Sequence, residues 1–292
     1  MRVVETRTTT IIDWRVLIVA ASLAAISPPV IGAQGTAERE TFETASIREN
    51  RSGSTARHLI KPQPSGLTVT NATVLNLIAY AFSVNERDVV GDVPGWVRTS
   101  KFDVAARAAD GPLTHRRVQS MTKALLQARF ELDASYERAV GPVYALVAAR
   151  SDGTRGPNLR PSESKCAADP PLRADAEPAM VRSLSFGERC GISIVTNADG
   201  GALIALSGRR LTMQQLATQL SWVGVFDRRV VDRTGLSGEF DFRATPPPDM
   251  VAPSSEARLL TAMREQLGLT LRAEEASYDV LRIRRIQPPS PN

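Results

Sequence analysis

The sequence predicts an α+β protein made of two tandem copies of one small unit, each with the approximate order β-α-β-α-β-β. Two observations lead to this fold class. Segments with alternating apolar residues and segments with helical spacing follow one another in the same order twice along the chain. Matching pieces also recur at nearly constant separation: the Phe-Asp pair at 102–103 recurs 138 residues later, and Phe-Glu-Leu at 130–132 aligns with Leu-Thr-Leu at 269–271, 139 residues later.

The first copy covers residues 42–150. Asn71 and Thr114 are predicted as helix N-caps, because their short polar side chains can accept hydrogen bonds from amides of the first helical turn. The predicted elements are a strand at 66–71, a helix at 73–82, a strand at 101–107, a helix at 115–130 and a terminal hairpin whose second strand is 143–148.

The second copy covers residues 188–286 and repeats this order. Its predicted elements are a strand at 202–206, a helix at 212–220, a strand at 239–244, a helix at 255–267, a short strand at 269–272 and a last strand at 278–283. Between the copies, residues 151–187 are rich in proline, serine and charge without periodicity, which predicts a linker. The last residues, 287–292, predict a disordered tail.

The first 33 residues have the organisation of an export signal. A net-positive stretch ends at Arg15, an apolar run covers residues 16–26, and small residues follow up to Ala33. This apolar run is well short of the roughly 20 residues that a membrane-spanning helix needs. We expect cleavage after Ala33 or Gly35 and a periplasmic or extracellular protein, with membrane contact only if the signal stays uncut.

The chain has two cysteines, Cys166 and Cys190. An even number in an exported protein is expected to pair, so the sequence predicts one disulfide that pins the linker. Two buried free thiols are the alternative. On the chain-entropy model, closing a loop of about 25 residues stabilises the fold by roughly 3 kcal/mol.

Composition and charge exclude several classes of function. The formal net charge is +5, and the basic residues are scattered among acidic ones with few aromatic neighbours, unlike the basic surface of a nucleic-acid-binding protein. The only histidines are His58 and His115, and neither has metal-ligand spacing. We therefore predict no catalytic residues, no metal, no cofactor and no nucleic-acid partner.

One enzymatic alternative has its motifs in the right order. Residues 120–123 fit the S-x-x-K pattern, residues 151–153 approximate S-D-N, and residues 233–235 approximate K-T-G, as in serine β-lactamases and penicillin-binding enzymes. Ser120 would be the nucleophile and Lys123 its partner one turn later. The S-x-x-K pattern also occurs at 162–165, so it arises easily. The alternative function is a β-lactam-reactive serine hydrolase of the cell envelope.

Five segments carry a likeness to a known family. They are FETASIREN at 42–50, VPGWVRTSKFDVAARA at 93–108, LTMQQLATQLS at 211–221, VVDRTGLSGEFDF at 230–242 and AMREQLGLTL at 262–271. Together they resemble a family of uncharacterised exported bacterial proteins that is expanded in acidobacteria. The resemblance covers about residues 42–286 and implies no established activity, substrate or catalytic residue.

These observations favour a non-enzymatic protein. Export, duplication and the scarcity of catalytic side chains predict a binding, sensing or assembly module of the cell envelope. Its partner would be an envelope protein or a small ligand, and the sequence does not identify binding residues.

Overall fold

A computed structural model describes residues 40–172, 190–196, 203–222, 225–246 and 254–290. All of them belong to one compact unit, Arg39–Asn292. The predicted export signal at 1–33 lies outside the described residues, as do parts of the predicted linker and the end of the tail. No helix among the described residues is long and apolar enough to cross a membrane.

Strands and helices alternate in both halves of the chain, which confirms the predicted α+β class. The first half contains β1 (Thr44–Glu49), β2 (Leu59–Gln63), β3 (Gly66–Thr73), α1 (Val74–Phe82), β4 (Val89–Gly91), α2 (Trp96–Thr99), β5 (Lys101–Arg107), α3 (His115–Arg129) and β6 (Asp133–Ala148). The second half contains β7 (Leu159–Pro161), β8 (Gly191–Thr196), β9 (Leu203–Leu211), α4 (Met213–Trp222), β10 (Arg229–Asp232), β11 (Phe240–Ala244), α5 (Ser255–Ala262) and β12 (Leu269–Arg285).

The two halves build matching outer sheets. The first has the strand order β1-β5-β3-β2 and the second has the order β7-β11-β9-β8, both fully antiparallel. Strand β7 therefore corresponds to β1. This strand lies within the segment predicted as a linker, where Leu159 is buried opposite Phe242 of β11. Three residues are too few to give a strand pattern in the sequence.

The halves exchange strands in a third, central sheet of order β10-β6-β12-β4. Strands β6 and β12 form a long antiparallel ribbon, and each is flanked by a short parallel strand from the other half: β10 lies beside β6, and β4 lies beside β12. At the middle of the ribbon, Ala139 pairs with Tyr278. These two residues are one repeat length apart, so an approximate two-fold axis passes through this pair.

Each half also completes the apolar core of the other. The core around α1 and α3 includes Leu281 and Ile283 of β12, and the core around α4 includes Leu146 of β6. All three side chains are almost fully buried. Because burial of apolar area is the main favourable term in folding, the two halves depend on each other for stability.

The predicted terminal hairpins are wrong. Residues 133–148 form a single strand of 16 residues, and residues 269–285 form a single strand of 17. Gly141 and Pro142 indicate a turn in the sequence, but the strand continues through them. Proline has no amide hydrogen to donate to a neighbouring strand. Pairing of β6 with β10 begins only at Val143, so Pro142 removes no hydrogen bond between these two strands.

A bulge in β3 corrects the predicted cap of α1. The N-cap is Thr73, which forms a reciprocal capping box with Asn76. Asn71 lies two residues earlier with a φ of 57°. At the equivalent position of β9, Arg210 has a φ of 52°. Thr114 caps α3 as predicted, accepting a hydrogen bond from the Arg117 amide.

The repeated Phe-Asp pair holds these bulges. The amide of Asn71 donates to the Asp103 carboxylate at 2.8 Å, and the amide of Arg210 donates to the Asp241 carboxylate at 2.9 Å. The phenylalanines before them, Phe102 and Phe240, are buried on the opposite face of the strand. The motif shared by the two copies therefore has a structural role in both.

The predicted disulfide is confirmed. Cys166 and Cys190 are bonded, with 5.1 Å between their Cα atoms, and no free cysteine occurs in the chain. The Cys190 amide donates to the Ala167 carbonyl, which brings the start of β8 beside the segment that follows β7. The tail differs from its prediction over residues 287–290, because Gln287 and Ser290 donate backbone hydrogen bonds to the end of α3.

Candidate functional site

A cleft of about 520 Å³ lies where the two halves meet, close to the approximate two-fold axis. We call it the junction cleft. The ribbon of β6 and β12 contributes one side, the end of α1 and the turn before β4 contribute a second, and α4 with β10 contributes the third. The cleft belongs to neither half alone, since residues of both repeats line it.

Hydrogen bonds between the halves fix the walls of this cleft. The Asn85 side chain donates to the Ser221 carbonyl at 3.1 Å. The Arg87 guanidinium donates to the carbonyls of Ser221 and Phe226, both at 3.3 Å. The turn that follows α1 is therefore tied by hydrogen bonds to the end of α4 and the segment after it.

A partly buried ion pair joins the halves beside the axis. Arg229 of β10 contacts Asp88 at 2.6 Å, and the two side chains are only 15% and 14% exposed. The Arg229 guanidinium also lies over the ring of Tyr278, 3.7 Å from its centre. Burial raises the pKa of Asp88 above its usual value, while the charges of Arg229 and Arg87 oppose this shift.

The other charged groups of the cleft are also matched. Arg138 and Asp279 face each other across the ribbon at 3.0 Å, and Arg233 contacts Glu274 at 3.3 Å. Asp232 accepts hydrogen bonds from the amide and the hydroxyl of Thr234. Three arginines and three aspartates line the cleft, and each has an ion pair or a hydrogen bond with a described residue, so the lining has no excess of either charge.

Two aromatic side chains in the cleft are exposed. Trp222, at the end of α4, is 41% exposed, and Tyr136 of β6 is 53% exposed. The Tyr136 hydroxyl donates to the Phe82 carbonyl at 2.6 Å, which fixes the ring. Burial of the phenol and the negative charge of Asp279 raise the pKa of Tyr136, so the donor stays protonated at neutral pH.

Uncharged polar groups accompany these rings. Gln214 and Thr218 are one turn apart on α4 and therefore face the same side of the helix. The Gln214 side-chain amide makes no hydrogen bond with any described residue, so it can bind a ligand. Ser277 of β12 adds a hydroxyl group to the lining. The cleft thus combines flat apolar surfaces with neutral hydrogen-bonding groups.

The hydrolase motifs do not form a site. Ser120 is exposed on α3, and the Lys123 ammonium lies over the Phe82 ring, 5.0 Å from its centre. Ser151 lies in the turn after β6, and Thr234 lies in the turn after β10. Among the described residues, no hydrogen bond or ion pair links these three elements through the motif side chains.

The histidines are placed apart from each other and from the cleft. His58 lies in the exposed segment before β2, and His115 opens α3 with its ring edge against Tyr80, 5.5 Å between ring centres. Within the described ranges, no group of three or more His, Cys, Asp or Glu residues is arranged to hold a metal ion.

The cleft residues lie at positions where the two copies differ. Trp222 corresponds to Ser83 of the first copy, and Tyr136 corresponds to Glu275 of the second. Matching positions between copies predict the fold, because both copies need the same core and bulges. In the sequence, the cleft residues could have been found only as positions where the two aligned halves carry different residues, and many other positions also differ in this way.

The fold and the cleft define an α+β protein whose halves share a central sheet and enclose a cleft at their junction. A family model described as protein of unknown function (DUF3738) matches residues 75–286, and the chain belongs to that family. This match agrees with the family of uncharacterised proteins that the sequence motifs resemble. Neither the curated proteins nor the solved structures contain a significant match to the chain.

Proposed function

We propose that this protein is an exported binding protein, without catalytic activity of its own, that holds an uncharged ligand in the junction cleft. The observation that carries the proposal is the composition of the cleft: its ionic groups are matched, while Trp222 and Tyr136 are exposed. Exposed apolar surface inside a concave site is a feature of ligand-binding sites.

The chemistry of the cleft favours a short neutral saccharide. One face of a sugar ring carries C–H groups that pack on aromatic side chains, and its hydroxyl groups pair with amides and hydroxyls. Trp222 and Tyr136 offer such ring surfaces, and Gln214 offers an amide with both donor and acceptor atoms. The volume of about 520 Å³ is within the range of small-ligand sites.

The disulfide supports the exported location within this proposal. Disulfides persist in oxidising compartments and are rare in the cytosol. The Cys166–Cys190 bond ties β8 to the segment after β7, so it stabilises an edge of the second outer sheet. The bond agrees with function in the periplasm or outside the cell.

Calorimetric titration with a panel of neutral oligosaccharides, including chitotetraose, maltotetraose and cellotetraose, tests the ligand class. We expect at least one to bind, and we expect Trp222→Ala or Tyr136→Ala to weaken its binding at least tenfold, about 1.4 kcal/mol. Leu59→Ala is the control, since Leu59 is an exposed apolar residue of β2 outside the cleft. The proposal would be contradicted if no oligosaccharide of the panel binds. It would also be contradicted if saccharide binding is unchanged in both Trp222→Ala and Tyr136→Ala.

Labelling with a fluorescent penicillin tests the alternative of a β-lactam-reactive serine hydrolase. The exposed position of Ser120 and the separate position of Lys123 over Phe82 give no activated nucleophile, so we expect no covalent adduct. An adduct that is lost in Ser120→Ala would instead support the hydrolase alternative.

A further inference from the structure

A second cavity, of about 710 Å³, lies on the outer face of the second outer sheet. Strand pairing places its arginines on this face, because Arg160 of β7 is opposite Asp241 and Arg243 of β11 is opposite Ser207 of β9. Directly opposite residues in an antiparallel pair share a face of the sheet. The neighbouring residues Phe240 and Phe242 of β11 point into the core.

The first half shows that this fold does not need all of these arginines. The same pairing in the first outer sheet places Arg48 opposite Asp103 and Ala105 opposite Thr68. Arg160 therefore has a counterpart in Arg48, whereas Arg243 replaces an alanine. The first sheet has other basic residues on this face, since Lys61 is opposite Thr68 and Arg107 lies two residues after Ala105. It has no counterpart of Arg243, so that arginine is not required to form a sheet of this strand order.

The guanidinium groups of Arg160 and Arg243 are not used in ion pairs with described residues. The Arg160 Nε donates to the Pro157 carbonyl at 3.2 Å, and the Arg243 Nε donates to the Thr245 hydroxyl at 3.4 Å. Both side chains are exposed. Their terminal nitrogens can therefore reach a ligand in the cavity, and each guanidinium presents a planar pair of donors.

The carboxylate nearest to these arginines is already engaged. Asp241 accepts hydrogen bonds from the hydroxyls of Ser162 and Ser164, at 2.6 and 2.7 Å, and from the Arg210 amide. Arg209 also lines the cavity, and its Nε donates to the Ser164 hydroxyl at 3.1 Å. The lining contains three arginines and two carboxylates, Asp241 and Glu163, so positive charge is in excess.

A buried hydroxyl lies next to this excess of positive charge. Ser207 is 3% exposed, and its Oγ has no hydrogen-bond partner among the described residues. Buried hydroxyl groups in folded proteins are usually satisfied, so such a group needs an explanation. An oxyanion held by Arg160 and Arg243 would bring a hydrogen-bond acceptor to β9, the strand that carries Ser207.

We propose that this face is a second binding site, which takes the phosphate group of a phosphorylated ligand. Arginine forks bind phosphate through paired, charge-assisted hydrogen bonds. Two guanidinium groups match the two charges of a phosphate monoester, whereas a carboxylate carries one. The cavity has room for more than one phosphate ion, so the proposed ligand carries its phosphate on a larger molecule.

Calorimetric titration of the full chain at low ionic strength tests this site. The probes are inorganic phosphate, glucose 6-phosphate, glucose and acetate. We expect glucose 6-phosphate and phosphate to bind, with affinity that falls as salt increases. We expect the double substitution Arg160→Gln with Arg243→Gln to weaken glucose 6-phosphate binding at least tenfold.

The first copy provides a matched control. Arg48→Gln removes an exposed arginine from the position equivalent to Arg160, and we expect it to leave glucose 6-phosphate binding unchanged. Full affinity in the double variant, an equal loss in Arg48→Gln, or equal binding of acetate would overturn the proposal. The absence of any response to either phosphate probe would overturn it as well. Binding of neutral saccharides in the junction cleft is a separate measurement and does not depend on these outcomes.

Discussion

At the scale of single residues, one acidic side chain fixes the same irregular backbone in both halves. Asp103 and Asp241 each accept the amide of a residue with positive φ, inside a strand that would otherwise be regular. Their additional partners differ, since Asp103 is bound by the Asn50 side chain and Asp241 by Ser162 and Ser164. Bulges that are retained in both copies are features of the fold rather than defects.

The carboxylate of Asp241 should make stability depend on pH. Burial favours the neutral acid, but hydrogen bonds from Ser162, the Arg210 amide and Ser164, together with the charge of Arg209, hold the pKa of Asp241 below its ordinary value. A lowered pKa in the folded state gives stability that is present above the unfolded-state pKa, and that is lost as pH falls through the folded-state pKa.

We therefore expect Asp241→Asn to lower the free energy of unfolding by about 1–2 kcal/mol at pH 7. The difference from the unmodified protein should shrink as the pH falls below about 4. Urea denaturation at pH 7 and pH 3 measures both values. Asp279→Asn is the control, because it removes one partner of an exposed ion pair and should cost less than about 1 kcal/mol. An equal loss from Asp241→Asn at both pH values would contradict this account.

At the scale of elements, the exchanged strands are short and depend on close backbone contact. Strand β4 pairs with β12 through only three residues, and it ends at Gly91. Gly91 has a φ of 109°, and a Cβ at this position would overlap the backbone carbonyl of Ile283. Only glycine combines this backbone conformation with such close approach.

Gly91→Ala should therefore separate β4 from β12. We expect the free energy of unfolding to fall by roughly 2 kcal/mol and the amides of β12 near Ile283 to exchange faster with solvent. Gly95→Ala is a matched control four residues away, because a Cβ at Gly95 meets no atom within 4 Å and its φ is −54°. Urea denaturation measures the free energy of unfolding of both variants, and hydrogen exchange measures the protection of the β12 amides. Similar effects of the two substitutions would rule out the role of Gly91.

At the scale of the whole molecule, the two halves are not independent domains. Each half supplies one short strand and part of a core to the other, across the ribbon of β6 and β12. The junction cleft exists only because the halves meet in this way. Any ligand that binds it should stabilise the joined molecule, since it contacts both halves.

We therefore expect residues 40–150 and residues 151–290, expressed separately, not to fold on their own. Without β12, the core around α1 loses Leu281 and Ile283 and β4 has no partner. Circular dichroism and thermal unfolding of each half measure this, with the complete chain as the control. Cooperative unfolding of either half alone would contradict the expectation, whereas a folded complex on mixing the halves would support it.

Much of the fold could be predicted from local patterns. The helices at 74–82 and 115–129 and the strand at 101–107 lie close to their predicted positions, because apolar spacing and polar caps are local signals. Short strands such as β4, β7 and β10 have too few residues to show a period. The cleft side chains were not predicted, because residues such as Tyr136 and Trp222 come together only when the halves pack.

The sequence by itself determined the α+β class and favoured the pairing of Cys166 with Cys190, which the structure confirms, since both rest on composition or on spacing along one chain. Only the tertiary structure decided that β6 and β12 are single long strands and that the halves exchange β4 and β10. Pairing between distant strands leaves little local signal, because it depends on which edges and apolar faces remain uncovered after each half has formed its own sheet.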